Sequence, residues 1–191
     1  MNQYSISQII ICLSFFSIMG WVCEVLWCSA GAGKLVNRGF LSGPWCPIYG
    51  FGALFISALA APFAANPLSV FLISVTVACV IEYFTGWLLE TLFQNRWWDY
   101  SNKPFNLKGR VCLENAGIFG GLGLIVTYFL LPLADRYLGF LYPQTQQIVA
   151  FLLVAMFALD IIDALTSVAG VRGRVDDLKA ALAELALNQG L

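Results

Sequence analysis

Apolar residues run almost unbroken through five stretches of the chain, at about 8–29, 47–63, 68–93, 112–133 and 147–169. Each is long enough, or nearly long enough, to cross a hydrocarbon core of about 30 Å as a helix. The stretch at 47–63 is the shortest and most broken. The pattern predicts an all-α membrane protein with five transmembrane helices, paired as two helical hairpins with the fifth helix as an extra element. After Gly170 the chain should leave the membrane, which divides it into a five-helix transmembrane domain (1–171) and a cytoplasmic tail (172–191). In the tail Val175, Leu178, Leu182 and Leu185 mark a stripe for a short amphipathic helix, too short for a stable coiled coil by itself.

The polar breaks between the runs differ in kind. Residues 33–50 combine glycines and prolines with bulky apolar residues, which excludes a regular helix and argues against a solvated loop. A re-entrant or interfacial segment is expected there, its backbone covered by protein or a wet cavity. The connection at 61–67 is short and uncharged and predicts a tight hairpin. Residues 96–106 mix Arg96, Trp97, Trp98, Asp99, Tyr100 and Lys103, a basic and aromatic stretch suited to the membrane interface. The fourth run carries Gly117, Gly120, Gly121 and Gly123, small residues that permit close helix packing.

Positive charge sets the expected orientation. Lys34 and Arg38 follow the first run, Arg96, Lys103, Lys108 and Arg110 the third, and Arg172, Arg174 and Lys179 the fifth, with Arg136 alone on the other side. That split of nine to one predicts an N-out, C-in protein of the cell inner (cytoplasmic) membrane. No basic region precedes the first run and no small-residue cleavage site interrupts it, so it reads as a retained anchor.

Composition agrees with a bilayer environment. With 60% apolar residues, 11% charged residues and a mean hydropathy of +0.79, the chain has too little charge to cover a water-soluble domain. Histidine is absent, which removes the commonest proton shuttle and transition-metal ligand. The six cysteines form no zinc-like pair and read as free thiols in packing. Gly31-Ala32-Gly33-Lys34 is not a phosphate loop, because Cys28 and Leu35 stand where glycine and Ser/Thr are required.

Against this apolar background the acids stand out. Glu82, Gly86 and Glu90 recur at i, i+4 and i+8, so both carboxylates share a helical face with a glycine between them that lets a neighbouring backbone come close. Counting back from Phe93 puts Glu82 roughly 16 Å inside the hydrocarbon. Asp160 and Asp163 share a face of the fifth run, Asp160 roughly 15 Å deep. An unpaired carboxylate at such depth costs several kcal/mol and needs a partner, a wet cavity or a proton. Glu24, Glu90 and Glu114 lie nearer the cytoplasmic interface, where Arg38, Arg96 and Arg110 can reach them, and all six tryptophans gather at that level.

A weak internal repeat connects these features. Gly20-Trp21 and Gly86-Trp87 are each followed by a glutamate, Glu24 and Glu90, then by an asparagine and a glycine, Asn37 and Gly39 or Asn106 and Gly109. A Phe-Gly pair opens each returning helix at Phe51-Gly52 and Phe119-Gly120. Two hairpins with the same in-and-out sense would be parallel repeats about an axis along the membrane normal, with a site between them toward the cytoplasm.

Three functions follow. The favoured one is permease-like: an acidic, aromatic-lined pocket open to the cytoplasm that moves a small cation or small polar molecule. Its binding residues would be Glu82, Asp160, Asp163, Glu24, Glu90, Glu114, Trp21, Trp87 and Tyr83, with Asn37, Arg38, Arg96, Asp99, Arg110 and Asn115 at the pocket mouth. The second is a membrane enzyme acting on a lipid or isoprenoid-linked head group, ranked lower because no nucleophile stands beside a base. The third is a structural membrane subunit of a larger complex. No cofactor motif is evident, and the only bound species these residues ask for is a cation or a proton, a metal ion being neither required nor excluded. The expected partners are the lipid bilayer, a second copy through the glycine faces or the tail, and a separate ATPase or soluble subunit on 172–191, with no nucleic acid.

The Gly-Trp-x-x-Glu start, the run from Asn37 to Gly50 (Asn-Arg-Gly-Phe-Leu-x-Gly-Pro-x-x-Pro-Ile-Tyr-Gly), and the Glu-Tyr, Leu-Glu, Trp-Asp-Tyr-Ser and Asn-x-x-Gly-Arg elements between Glu82 and Arg110 resemble the bacterial family called putative ABC-transporter type IV, or CmpB-like. The resemblance covers about residues 5 to 170, and the 37–50 motif is specific. It implies a small multi-pass membrane protein of permease-like type, without transferable catalytic residues. Because the chain has no ATP-binding motif, it also implies that any ATPase is a separate subunit.

Overall fold

The computed structural model describes residues 4–37 and 41–188, with backbone only for 168–188. Six α-helices make up most of it: α1 (Ile6–Ala32), α2 (Pro47–Ala60), α3 (Pro67–Phe93), α4 (Leu113–Ile125), α5 (Leu131–Phe140) and α6 (Pro143–Asn188). Two very short strands, β1 (Asn106–Leu107) and β2 (Val111–Cys112), pair antiparallel in the loop between α3 and α4.

Local chemistry sets the helix ends. Ser5 and Gln8 form a reciprocal capping box at the start of α1, and Gly33 ends it in the left-handed region at φ 64°, a conformation that glycine adopts without steric penalty. Asn66 caps α3 by accepting from Leu68 N and Ser69 N, with Pro67 at the first helical position where its missing N–H costs nothing. A single 3-10 turn, Ala61–Phe63, extends α2 toward this cap and closes the short connection.

Four helical segments are long and apolar enough to cross a membrane: Ile6–Ala32, Pro67–Phe93, Leu113–Phe140 and Pro143–Ser167. The apolar Pro47–Phe63 helix is shorter, roughly 25 Å at 1.5 Å per residue. Large apolar side chains such as Phe55, Leu72, Phe129 and Phe151 point outward on these helices, as a lipid-facing surface requires.

Three details differ from the sequence-based expectation. The fourth span is not one regular helix: a π turn at Val126–Leu130 joins α4 to α5. It lies just before Pro132, whose ring carries no N–H for the carbonyl one turn back, and a widened turn accommodates the break. Among the described residues the tail forms no separate helix, because α6 continues through Gly170 and Gly173 to Asn188. The side chains of the tail stripe from Val175 to Leu185 lie outside the described residues. The small-residue face expected on α4 is used only in part. Gly120 and Gly123, not Gly117 and Gly121, meet α3, at Phe71 and Ser74, while a Cβ at Gly117 or Gly121 would meet nothing.

The helices pack as two close pairs, α1 with α2 and α3 with α4, with α2 against α3 and α6 against α1. Small and hydroxylated residues make the pairs close. Gly50 lies against Ser17 and the Leu13 carbonyl, and Gly20 against the ring of Tyr49. The buried serines Ser17, Ser57 and Ser74 return their hydroxyls to carbonyls four residues back, so none needs water. The loop before α2 folds inward: Leu41 and Trp45 are buried with Ala164 of α6, and Trp45 meets Phe157 edge to face at 5.6 Å.

Candidate functional site

α3 carries Glu82 into the protein and Glu90 to its rim. Glu82 is 5% exposed, the most buried of the described acids. Gly86, between them, admits the Trp98 ring, whose Cζ2 would lie 3.2 Å from a Cβ there. The expectation of a close backbone at Gly86 is therefore corrected to an aromatic side chain from the following loop. Trp98 is held in turn by its indole N–H, which donates to the Arg110 carbonyl at 2.9 Å.

That loop supplies the partner of Glu82. Tyr100 O–H donates to Glu82 Oε1 at 3.1 Å, and the Tyr100 oxygen accepts from Asn115 Nδ2. An amide nitrogen only donates, so the one phenolic hydrogen of Tyr100 goes to Glu82. Burial, with Glu82 as the next cause, pushes the Tyr100 hydroxyl well above the ordinary phenol range, which keeps it a donor. Glu82 Oε2 has no hydrogen-bond partner among the described residues.

Glu82 lines a partly open cavity of about 80 Å³ bordered by α2, α3 and α4. Its other walls include Tyr49, Gly52, Ala53, Phe119 and Leu122. The Tyr49 and Phe119 rings meet at 6.0 Å and 63°, joining α2 to α4 across the cavity wall. Tyr49 O–H donates to Glu24 Oε1 of α1 at 2.6 Å. Two tyrosine–carboxylate pairs, one built from α1 and α2 and one from α3 and its loop, thus converge on one cavity.

The rim is an ion-pair network. Glu90 accepts from Arg96 Nε at 2.9 Å through one oxygen and from Arg110 Nη2 at 2.8 Å through the other. Arg110 also donates to Tyr83 O–H at 3.3 Å and sits 5.3 Å from the centre of its ring. Asp99 accepts the Ser101 hydroxyl and N–H and has Arg96 Nη1 at 3.5 Å. These contacts, the Ser101 hydroxyl foremost, hold its carboxyl below the usual aspartate range. Glu114 pairs with Lys103 at 2.7 Å, and this pair is half exposed.

Asp160 Oδ2 is also buried without a hydrogen-bond partner among the described residues, but Asp160 lines neither the Glu82 cavity nor the one beside Trp45, and the other contacts of Asp160 and Asp163 run to a loop. Asp163 Oδ2 accepts from Ser42 O–H at 2.8 Å and Asp160 Oδ1 from Gly43 N–H at 2.9 Å, so both fasten the loop before α2 to α6. No hydrogen bond among the described residues joins either of them to Glu82. The shared site drawn from Glu82, Asp160 and Asp163 is corrected accordingly: shared depth along two helices does not make two side chains meet. Trp21 and Trp87 do not line the cavity either. The Trp21 indole donates to Asn37 Oδ1 at 2.8 Å, while Asn37 Nδ2 reaches the Ser42 carbonyl, and Trp87 is 44% exposed beside Phe84. Arg38 lies outside the described residues.

Sequence reasoning missed Tyr49, Tyr100 and Phe119. Tyr49 and Tyr100 were visible only as members of the 37–50 and Trp-Asp-Tyr-Ser motifs, and Phe119 as half of a Phe-Gly pair. Pairing a buried acid with a phenol would have found the first two, since a carboxylate beyond the reach of arginine needs a neutral donor. Among the described residues no three His, Cys, Asp or Glu side chains gather as metal ligands.

No curated protein and no solved structure matches the chain. A family model described as Putative ABC-transporter type IV matches residues 11–165, across all four long apolar segments and the Glu82 cavity. This multi-pass, transport-type membrane protein belongs to that family.

Proposed function

We propose that the protein is a permease-like subunit of the cytoplasmic membrane that passes a small cation or small polar molecule through the Glu82 cavity, with access from the cytoplasm. In this reading Pro47–Phe63 is a fifth span, the N-terminus is outside and the C-terminus inside, and the two hairpins are parallel repeats with the cavity between them. The observation that carries it is Glu82 Oε2, buried, without a partner and lining a cavity. Leaving such an oxygen unmet costs on the order of 1–3 kcal/mol, more when it is charged, and an arrangement that costs stability is expected where function needs it.

The enzyme reading draws no support from the rim, because Arg96 and Arg110 spend their charge on Glu90 and hold no free phosphate site between them. A separate ATPase or soluble subunit would dock on 172–191, which α6 joins to the bundle without a break as far as Asn188. A homodimer would use the glycines that α3 leaves open, Gly117 and Gly121.

The test is flux. Purified protein reconstituted in liposomes is offered a panel of small inorganic cations, organic cations and neutral polar solutes, with and without a pH gradient. The reading expects at least one solute to move faster than in protein-free liposomes. No movement of any of them, with the helical content intact by circular dichroism, sinks it.

A further inference from the structure

Among the described residues, Glu82 Oε2 is the one polar side-chain atom of the cavity wall without a hydrogen-bond partner, and the Tyr49 oxygen beside it can still accept. Glu82 Oε1 is taken by Tyr100, and the Tyr49 hydroxyl by Glu24. Glu82 Oε2 remains, facing walls of Ala53, Ile56, Leu122 and Val126 and the rings of Tyr49 and Phe119.

Each class of ligand can be weighed against that wall. An inorganic cation asks for about six oxygens and would find only Oε2 and the Tyr49 oxygen, so it would stay bound to its water outside. An anion meets a carboxylate. A neutral polar molecule with several donors and acceptors would lose most of its hydrogen bonds on entry. A monovalent ammonium with an apolar body fits both halves: the charged head meets Oε2, the body displaces nothing polar, and the aromatic faces favour a cation nearby. The volume of about 80 Å³ holds the ligand to a compact amine, below drug-sized pockets of about 300–1,000 Å³.

We infer that the Glu82 cavity binds a compact organic ammonium with an apolar body, paired with Oε2 in exchange for the carboxyl proton. The inference rests on the permease reading and names the substrate class of that same site. The exchange balances: the Glu82 O–H bond breaks, the proton leaves to water, and the carboxylate pairs with R–NH3+, so one positive charge enters as one departs. The groups that face Glu82 are Tyr100 and Asn115 from the loop and α4, Cys112 beside Tyr100, Cys79 on its own helix, Tyr49 from α2 and Glu24 from α1. None of these is a cation, and Arg96 and Arg110 are held at the rim by Glu90. Among the described residues no fixed positive charge therefore faces Glu82, and a proton or an ammonium would fill that part.

The test uses the full chain in lipid nanodiscs, with ethylammonium as probe, small enough for a cavity of about 80 Å³, and its neutral isostere ethanol as control. Saturable ethylammonium binding is expected, with about one proton released per cation, read from how the heat of binding changes with the buffer. Ethanol should bind more weakly by roughly tenfold or more, and excess sodium should not displace the amine. Glu82→Gln, which keeps an oxygen for Tyr100, should abolish the proton release and the preference for the cation. Gly52→Leu should abolish binding with Glu82 intact, because a Cβ at Gly52 meets nothing and the side chain can fill the cavity. No saturable amine binding, equal binding of the alcohol, or binding unchanged in both variants overturns the inference. Amine binding without flux of any solute counts against the permease reading alone, and flux of another solute without amine binding counts against this inference alone.

Discussion

Gly123→Ala tests how closely α3 and α4 pack around the cavity. A Cβ at Gly123 would fall well inside van der Waals contact of Ser74 Oγ and Cβ. Ser74 is wholly buried and its hydroxyl is bonded to the Val70 carbonyl at 2.8 Å, so it cannot turn aside without losing that bond. The helices must then part, and overpacking of this kind costs about 1–3 kcal/mol. Alanine also gains helix propensity over glycine, up to about 1 kcal/mol, which would mask part of the loss. Gly121→Ala removes that ambiguity, because it lies on the same helix with open space around it and takes the same propensity gain. The difference between the two variants should therefore be about 1–3 kcal/mol, Gly123→Ala being the less stable. Denaturant unfolding in bicelles, followed by circular dichroism, measures it. If the two variants agree within about 0.5 kcal/mol, α3 and α4 do not meet at Ser74 and the cavity beside them is drawn wrongly.

Tyr100→Phe removes the hydroxyl that serves both Glu82 and Asn115, and should lower stability by about 1–3 kcal/mol in the same unfolding assay. Little change there would mean that neither group depends on it. Gly43→Ala puts a Cβ 3.0 Å from Asp160 Oδ2 and from Trp45 Cδ1, so amide hydrogen exchange across 41–46 should speed up, whereas unchanged protection would contradict the clasp on α6. The loop after α3 should loosen at both pH extremes. Asp99 is held below its ordinary value, so its contribution is present above the usual aspartate range and is lost as pH falls through the depressed one. Lys103 is raised by Glu114, so its contribution is present below the usual lysine range and is lost as pH rises through the raised one. Limited proteolysis near Arg96 and Lys103 reads this, and a rate independent of pH, after correction for the protease, would refute it.

Much of the architecture was legible because a bilayer imposes a simple rule, that backbone polar groups be satisfied within each span. The spans Ile6–Ala32, Pro67–Phe93 and Pro143–Ser167 contain the apolar runs expected for them almost entirely. That Arg96 and Arg110 reach an interface glutamate was legible too, from charge and level in the membrane, but not that both meet Glu90 while Glu24 takes Tyr49 and Glu114 takes Lys103. What period and depth could not supply was azimuth. Asp160 and Glu82 have similar expected depths, yet α6 packs on α1 and turns Asp160 to the loop at Gly43, while α3 faces α2 and α4. The glycines of α4 show the same limit. Gly117 and Gly121 form the more familiar spacing, but Gly120 and Gly123 face the partner. Tyr100 looked like an interface aromatic because a phenol at a membrane boundary reads the same whether its hydroxyl meets water or a buried acid, and Tyr49 was visible only as part of the 37–50 motif.

The central claim is that Glu82, and not the pair on α6, is the carboxylate that meets the transported species. Flux through liposomes measured side by side for Glu82→Gln and Asp160→Asn tests it most directly, since each variant keeps an acceptor for its present donor, Tyr100 or Gly43. The account predicts that Glu82→Gln stops the flux and Asp160→Asn retains it. Flux that persists in Glu82→Gln and vanishes in Asp160→Asn would contradict it.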